Sequence, residues 1–173
     1  MRAWHRAAIS YSDPPAHLSL NSTLPSLSRS QAFCHEELLI SNQNVDLALA
    51  FTAAYNEREI DAAVELCAAN VAVFPDSSVY PESSPPVGRD EFRSLLEDSR
   101  SAWASCAHTP EEVLDIGDGR VIIRGGWGGK GIASGVEVYQ DLSAIFTVRG
   151  GQISKVEYFF GHDRALEAVR LSE

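Results

Sequence analysis

The side chains in this sequence that suit chemistry on a small organic molecule are a carboxylate, Asp76, a phenol, Tyr158, an amide, Gln140, and two flat indoles, Trp103 and Trp127. A carboxylate at an apolar mouth is pushed by desolvation toward accepting a proton near neutral pH, and a phenol or amide beside it polarises a carbonyl oxygen. Asp76 follows the β-prone run Val71 to Phe74 and its terminator Pro75. The same position also suits a solvated turn before Ser77. Tyr158 and Gln140 acquire direction from strand alternation. In the run 136 to 148 the even positions Val136, Val138, Gln140, Leu142, Ala144, Phe146 and Val148 are nearly all apolar and are expected to face inward. Gln140 is then a polar residue on an apolar face and needs a partner, either a ligand or a neighbouring side chain. In the run 153 to 160, Lys155 and Glu157 suit the outer face, which turns Tyr158 inward, as core packing or as a functional phenol.

Other motifs fail on context. Gly126 to Gly131 matches GxGxxG, but a phosphate-cradling loop must open a helix and the residues that follow have strand period. Gly131 also occupies the Ser/Thr place of a P-loop, and Ser134 lies in GIASG rather than GxSxG. Cys34, Cys67 and Cys106 are odd in number and widely spaced, so neither a disulfide framework nor a metal site is expected, and no cofactor is implied. A reducing cytoplasm fits that usage. His108, just before Pro110, reads as a strand-edge surface residue, and His162 with Asp163 as a helix cap.

The elements that position these residues follow from periodicity. The 173 residues, 45% apolar and 22% charged, suit one globular domain. A net charge of -10 disfavours a nucleic-acid partner, and no apolar run reaches the roughly 20 residues of a membrane helix. Residues 1–43 hold eight Ser and three Pro without helical or strand period and read as a disordered extension, and residues 44–173 as the domain. Asn44 caps a first helix whose stripe is Leu47, Phe51, Ala54 and Tyr55. Ile60, Ala63, Val64 and Cys67 mark a second helix. Val71 to Phe74 is a strand, and Asp90 opens a third helix bearing Phe92, Leu95, Leu96 and Trp103. After Pro110 the period becomes two: 113–116 and 120–127 flank the Gly117-Asp118-Gly119 turn, residues 128–135 connect, and strands follow at 136–148 and 153–160 before a short helix near His162. The order ααβαββββα is α+β.

In that order the chain resembles the nuclear transport factor 2-like superfamily, in its SnoaL-like and ketosteroid isomerase-like branch. The resemblance covers about residues 44 to 172. It is carried by NVDLALAFTAAYNEREIDAAVELC, PPVGRDEFRSLLED, GGKGIASGVEVYQ and FTVRGGQISKVEYFFGHDRALEAV. It implies a cone-shaped fold, a curved antiparallel sheet covered by three N-terminal helices with a pocket at the mouth, and often a homodimer through the other sheet face. The family hosts isomerases, polyketide cyclases, epoxide hydrolases, dehydratases and simple binders, so fold alone does not name the chemistry. The isomerase-like phenol position falls on Phe51 and the base position on Pro75, with Asp76 one residue later. The epoxide hydrolase-like acid on the last strand falls on Tyr158. The resemblance thus implies a pocket for a small, mostly apolar organic ligand, and the residues expected to line it are Phe51, Tyr55, Phe74, Trp103, Trp127, Gln140 and Leu142. The alternative is acid/base turnover of a carbonyl compound, with Asp76 as base and Tyr158 as oxygen-polarising donor.

Overall fold

The computed structural model describes residues 29–77 and 85–171, with side chains from residue 43. Its elements are α1 (Arg29–Asn56), α2 (Ile60–Glu65), β1 (Cys67–Phe74), α3 (Arg89–Ser101), β2 (Trp103–Gly117), β3 (Arg120–Gly131), β4 (Glu137–Arg149), β5 (Gln152–Phe160) and α4 (His162–Leu171). This is the order ααβαββββα. Asn44 lies inside α1 rather than capping it, because the helix begins at Arg29. The expected extension 1–43 therefore overlaps α1, and its residues 1–28 lie outside the described residues. Among the described residues no helix is long and apolar enough to cross a membrane.

The helical stripe forms as its spacing requires. Ala48, Phe51, Thr52 and Tyr55 are buried, with Leu47 and Ala54 at the margins. The helix stops where Arg58 takes a positive φ of 68° and the N–H groups of Glu57 and Glu59 close back on the Ala53 and Ala54 carbonyls. Cys67 opens β1 instead of continuing α2, and Trp103 opens β2 instead of ending α3.

The sheet order is β1-β5-β4-β3-β2. Neighbours are antiparallel except β1 and β5, which run parallel, so the expected all-antiparallel sheet is a mixed one. Two strands are longer than periodicity suggests. β2 runs straight through Pro110, which is tolerated because β2 is an edge strand and its pairing shifts beside that residue. β3 runs through the glycine stretch expected to be a connection. There the glycines are sterically required: a Cβ on Gly129 would lie 1.8 Å from the Ser105 carbonyl oxygen, and one on Gly128 2.0 Å from that of Val138.

Two apolar layers result. The larger joins α1, α2 and α3 to the sheet face bearing Val121, Ile123, Ala144, Phe146, Val148 and Val156. The smaller packs Ala165 of α4 on Ile122 and Ile145, which alternate with the first set and occupy the opposite face. At roughly 25 cal/mol per Å² of apolar surface buried, either layer contributes several kcal/mol to folding.

Candidate functional site

Between α1, α3 and the inner sheet face lies a cavity of about 110 Å³. Its apolar wall is Phe51 from α1, Leu95 and Leu96 from α3, Leu142, Ala144 and Phe146 from β4, and Phe160 at the end of β5. Phe51 stacks on Phe92 at 5.5 Å and meets Phe146 edge-on at 5.4 Å, so aromatic packing fixes that wall. Four titratable side chains enter it from four directions: Tyr55, Asp76, His108 and Tyr158.

Tyr55 sits one helical turn after Phe51, on the same stripe. Its hydroxyl accepts a hydrogen bond from Trp127 Nε1 at 3.2 Å and lies 3.4 Å from Ser99 Oγ and 3.5 Å from Cys106 Sγ. Ser99 already donates to the Leu96 carbonyl, so its oxygen is left to accept from Tyr55. The Arg100 guanidinium covers the ring at 4.7 Å. Burial raises the Tyr55 pKa above that of an ordinary phenol. Burial drives that of Tyr158 upward as well, with Tyr55 and Cys67 adding to the effect. Both phenols are therefore neutral O–H groups at physiological pH.

Asp76 is 2% exposed. Its Oδ2 accepts the Phe160 backbone N–H at 2.7 Å and pairs with the Arg164 guanidinium. The carboxylate thus joins the end of β1 to the end of β5 and the first turn of α4. It is neither the solvated turn residue nor an uncommitted base: abstracting a proton from carbon would break an ion pair that holds three elements together.

His108 departs furthest from its expected place at a strand-edge surface. It is 5% exposed and lines the cavity. The side-chain amide of Asn56, the last residue of α1, clamps its backbone: Oδ1 accepts the His108 N–H and Nδ2 donates to its carbonyl, both at 2.8 Å. Burial lowers its pKa to about 4, against a smaller opposing effect of a hydrogen bond to the Leu142 backbone, so the imidazole is neutral.

The expected ligand wall is partly assembled. Phe51, Tyr55, Trp127 and Leu142 line the cavity together with Asp76 and Tyr158. Trp103 is half-buried behind it, edge-on to Trp127 at 5.6 Å. Phe74 is 38% exposed and faces the opposite way, under the Lys155 ammonium 5.0 Å from its ring. Gln140 is exposed as well, opposite Trp127 in the β3–β4 register. The inward alternation of β4 begins only at Leu142. Glu137 to Asp141 are exposed on both faces, Val138 among them, because burial ends before that half of the strand. His108 was the residue missed. The signal was present in Cys106 and His108, two apart on a strand, once β2 is allowed to pass through Pro110.

The sequence profile of the SnoaL-like domain family matches residues 48–156. No curated protein matches the chain in sequence. Similar solved structures include a candidate SnoaL-like polyketide cyclase from Jannaschia sp. CCS1, 18% identical with a TM-score of 0.62, the match covering 76% of this chain and 91% of that one. TerC co-crystallised with polyporic acid is 19% identical with a TM-score of 0.60, over 74% of this chain and 98% of that one. A hypothetical protein from Catenulispora acidiphila DSM 44928 with a ketosteroid isomerase-like fold, in complex with trimethylamine, is 16% identical with a TM-score of 0.58, over 66% and 85%. At these identities the likeness is one of fold.

Proposed function

Because the chain belongs to the SnoaL-like domain family, we propose that it binds a small, mostly apolar organic molecule in the cavity between its helices and sheet. The observation that carries this reading is the wall itself: an aromatic and aliphatic enclosure in which the phenols and the imidazole are neutral and the carboxylate is ion-paired. Such a lining, mainly apolar with a few convergent polar groups, is what ligand sites share. Size narrows the class. A cavity of about 110 Å³ is smaller than the dry apolar cavities of about 150 Å³ that take up benzene, so it limits the ligand to a single ring and excludes a fused polycycle.

Acid/base turnover of a carbonyl compound is the second reading. It draws on Tyr158 and His108, which bring an O–H donor and a neutral imidazole to one cavity, and no longer on Asp76 as base. Asp76→Asn separates the two roles, because loss of folding stability with ring binding intact marks a positioning residue. The compartment we propose is the reducing cytoplasm, consistent with Cys67 and Cys106 as buried free thiols, that of Cys67 pushed up to about 12 by burial. We also propose a homodimer, supported by the exposed Val136, Val138 and Tyr139 of the β4 end. Ile145, on the face of β4 opposite the cavity, is covered by α4. Sedimentation showing a monomer at micromolar concentration contradicts the dimer.

The test of binding is a thermal-shift titration with toluene on the full chain and on Ala144→Leu. Ala144 is fully buried on the cavity wall, and three added carbons occupy the ring's space. Saturable stabilisation of the wild type, lost in the variant, supports the reading. No stabilisation of the wild type contradicts it.

A further inference from the structure

Among the described residues, His108 Nε2 is the one buried side-chain nitrogen or oxygen that has no hydrogen-bond partner. It belongs to a residue 95% removed from solvent that lines the cavity. A buried polar atom left unpaired costs the fold the desolvation of that atom, so such atoms mark places where a partner arrives from outside the chain.

The chemistry of the missing partner follows from the ring. The Leu142 backbone acts on the imidazole in the sense that favours the protonated ring, and we assign the single proton of the neutral ring to Nδ1, facing that backbone. In the neutral ring that leaves Nε2 with a lone pair and no hydrogen. It accepts and does not donate. None of the polar side chains that share the cavity, the Tyr158 hydroxyl included, hydrogen-bonds it. The Tyr55 hydroxyl is shared among Trp127, Ser99 and Cys106, and Asp76 Oδ2 is taken by Phe160 and Arg164. Phe51, Leu142, Ala144 and Phe146 make most of the remaining wall apolar.

Resting on the reading of the cavity as a ligand site, we propose that its ligand is a single-ring compound bearing a hydroxyl group, whose O–H donates a hydrogen bond to His108 Nε2 while the ring fills the apolar wall. Specificity then comes from a group in the site that the hydroxyl-free analogue leaves unpaired. Sites built to hydrogen-bond a hydroxyl discriminate far more sharply than apolar pockets that tolerate one.

The experiment titrates the full chain with phenol, anisole and toluene, measuring each dissociation constant by calorimetry, for the wild type and for His108→Leu. The expected result is phenol binding about tenfold or more tightly than toluene or anisole, with the preference abolished in the variant. Where His108→Leu does not fold, the imidazole nitrogen resonances of the ¹⁵N-labelled wild type decide. Phenol moves the Nε2 signal to that of a hydrogen-bonded acceptor and toluene does not. Equal affinities for phenol and toluene, or an Nε2 signal that phenol leaves unmoved, overturn the hydroxyl proposal while the cavity reading stands. Failure of all three compounds to bind overturns both.

Discussion

Acidification is the perturbation that reads the environment of His108 without a ligand. In the unfolded chain its imidazole titrates near pH 6.5, whereas in the folded protein burial holds its pKa at about 4. Between those values the unfolded state binds a proton that the folded state refuses. Stability contributed by this site is therefore complete above the unfolded pKa and is lost as pH falls from about 6.5 toward 4. Linkage gives a loss of about 2 kcal/mol between roughly pH 7.5 and pH 5, approaching about 3 kcal/mol near pH 4. The groups that share the cavity are Tyr55 from α1, Asp76 after β1 and Tyr158 from β5, with Cys106 two residues away on β2. The phenols remain neutral, and the one carboxylate is matched by Arg164, so no uncompensated anion waits to hold the proton. The assay is urea unfolding across that pH range for the wild type and for His108→Asn, which keeps an amide able to face the Leu142 backbone. Subtracting the two pH profiles removes the surface carboxylates common to both. A difference that stays flat through pH 5, or a wild type that gains stability relative to the variant on acidification, refutes the buried neutral imidazole.

Other outcomes follow from the same geometry. Asp76→Asn and Arg164→Met each lower unfolding stability by about 2–4 kcal/mol in denaturant titrations, below the upper end for a buried pair because the Arg164 side chain is 41% exposed. Gln140→Ala changes neither toluene affinity nor stability by more than about 0.5 kcal/mol, since the residue is exposed and outside the cavity. Gly129→Ala forces a methyl against the Ser105 carbonyl and costs more than about 3 kcal/mol, read as a collapse of the thermal transition.

What was legible in the sequence was whatever side-chain periodicity controls. The α1 stripe buries Phe51 and Tyr55, Gly117-Asp118-Gly119 turns β2 into β3, and the even positions of β4 from Leu142 to Val148 are buried, as their spacing says. The order of elements follows from them. The misplacements occur where period is silent or overruled. Gly128, Gly129 and Gly131 carry no side chains to alternate, so the end of β3 is invisible there although close backbone approach at Gly128 and Gly129 demands glycine. Pro110 signals a break in most strands, yet an edge strand has no ladder N–H to lose on its open side. Taking it as a boundary concealed the first half of β2, and with it His108. Gln140 and Phe74 fail for a different reason: alternation assigns a face, but which part of that face the helices reach is a tertiary fact. Asp76 was located by its place after β1, whereas its partner Arg164 lies 88 residues away and no local pattern joins them.

The proposed function requires a ring compound in the space enclosed by Phe51, Leu142, Ala144 and Phe146. Methyl-resolved NMR of the full chain during a phenol titration measures this directly, because the two faces of β4 carry separate reporters. Leu142 and Ala144 line the cavity, while Ile145, with Ile122 beside it on β3, lies on the opposite face under α4. Saturable shifts at the Leu142 and Ala144 methyls, with Ile122 and Ile145 unmoved, are the predicted result. Shifts confined to Ile122 and Ile145, or none on either face at saturating phenol, contradict it.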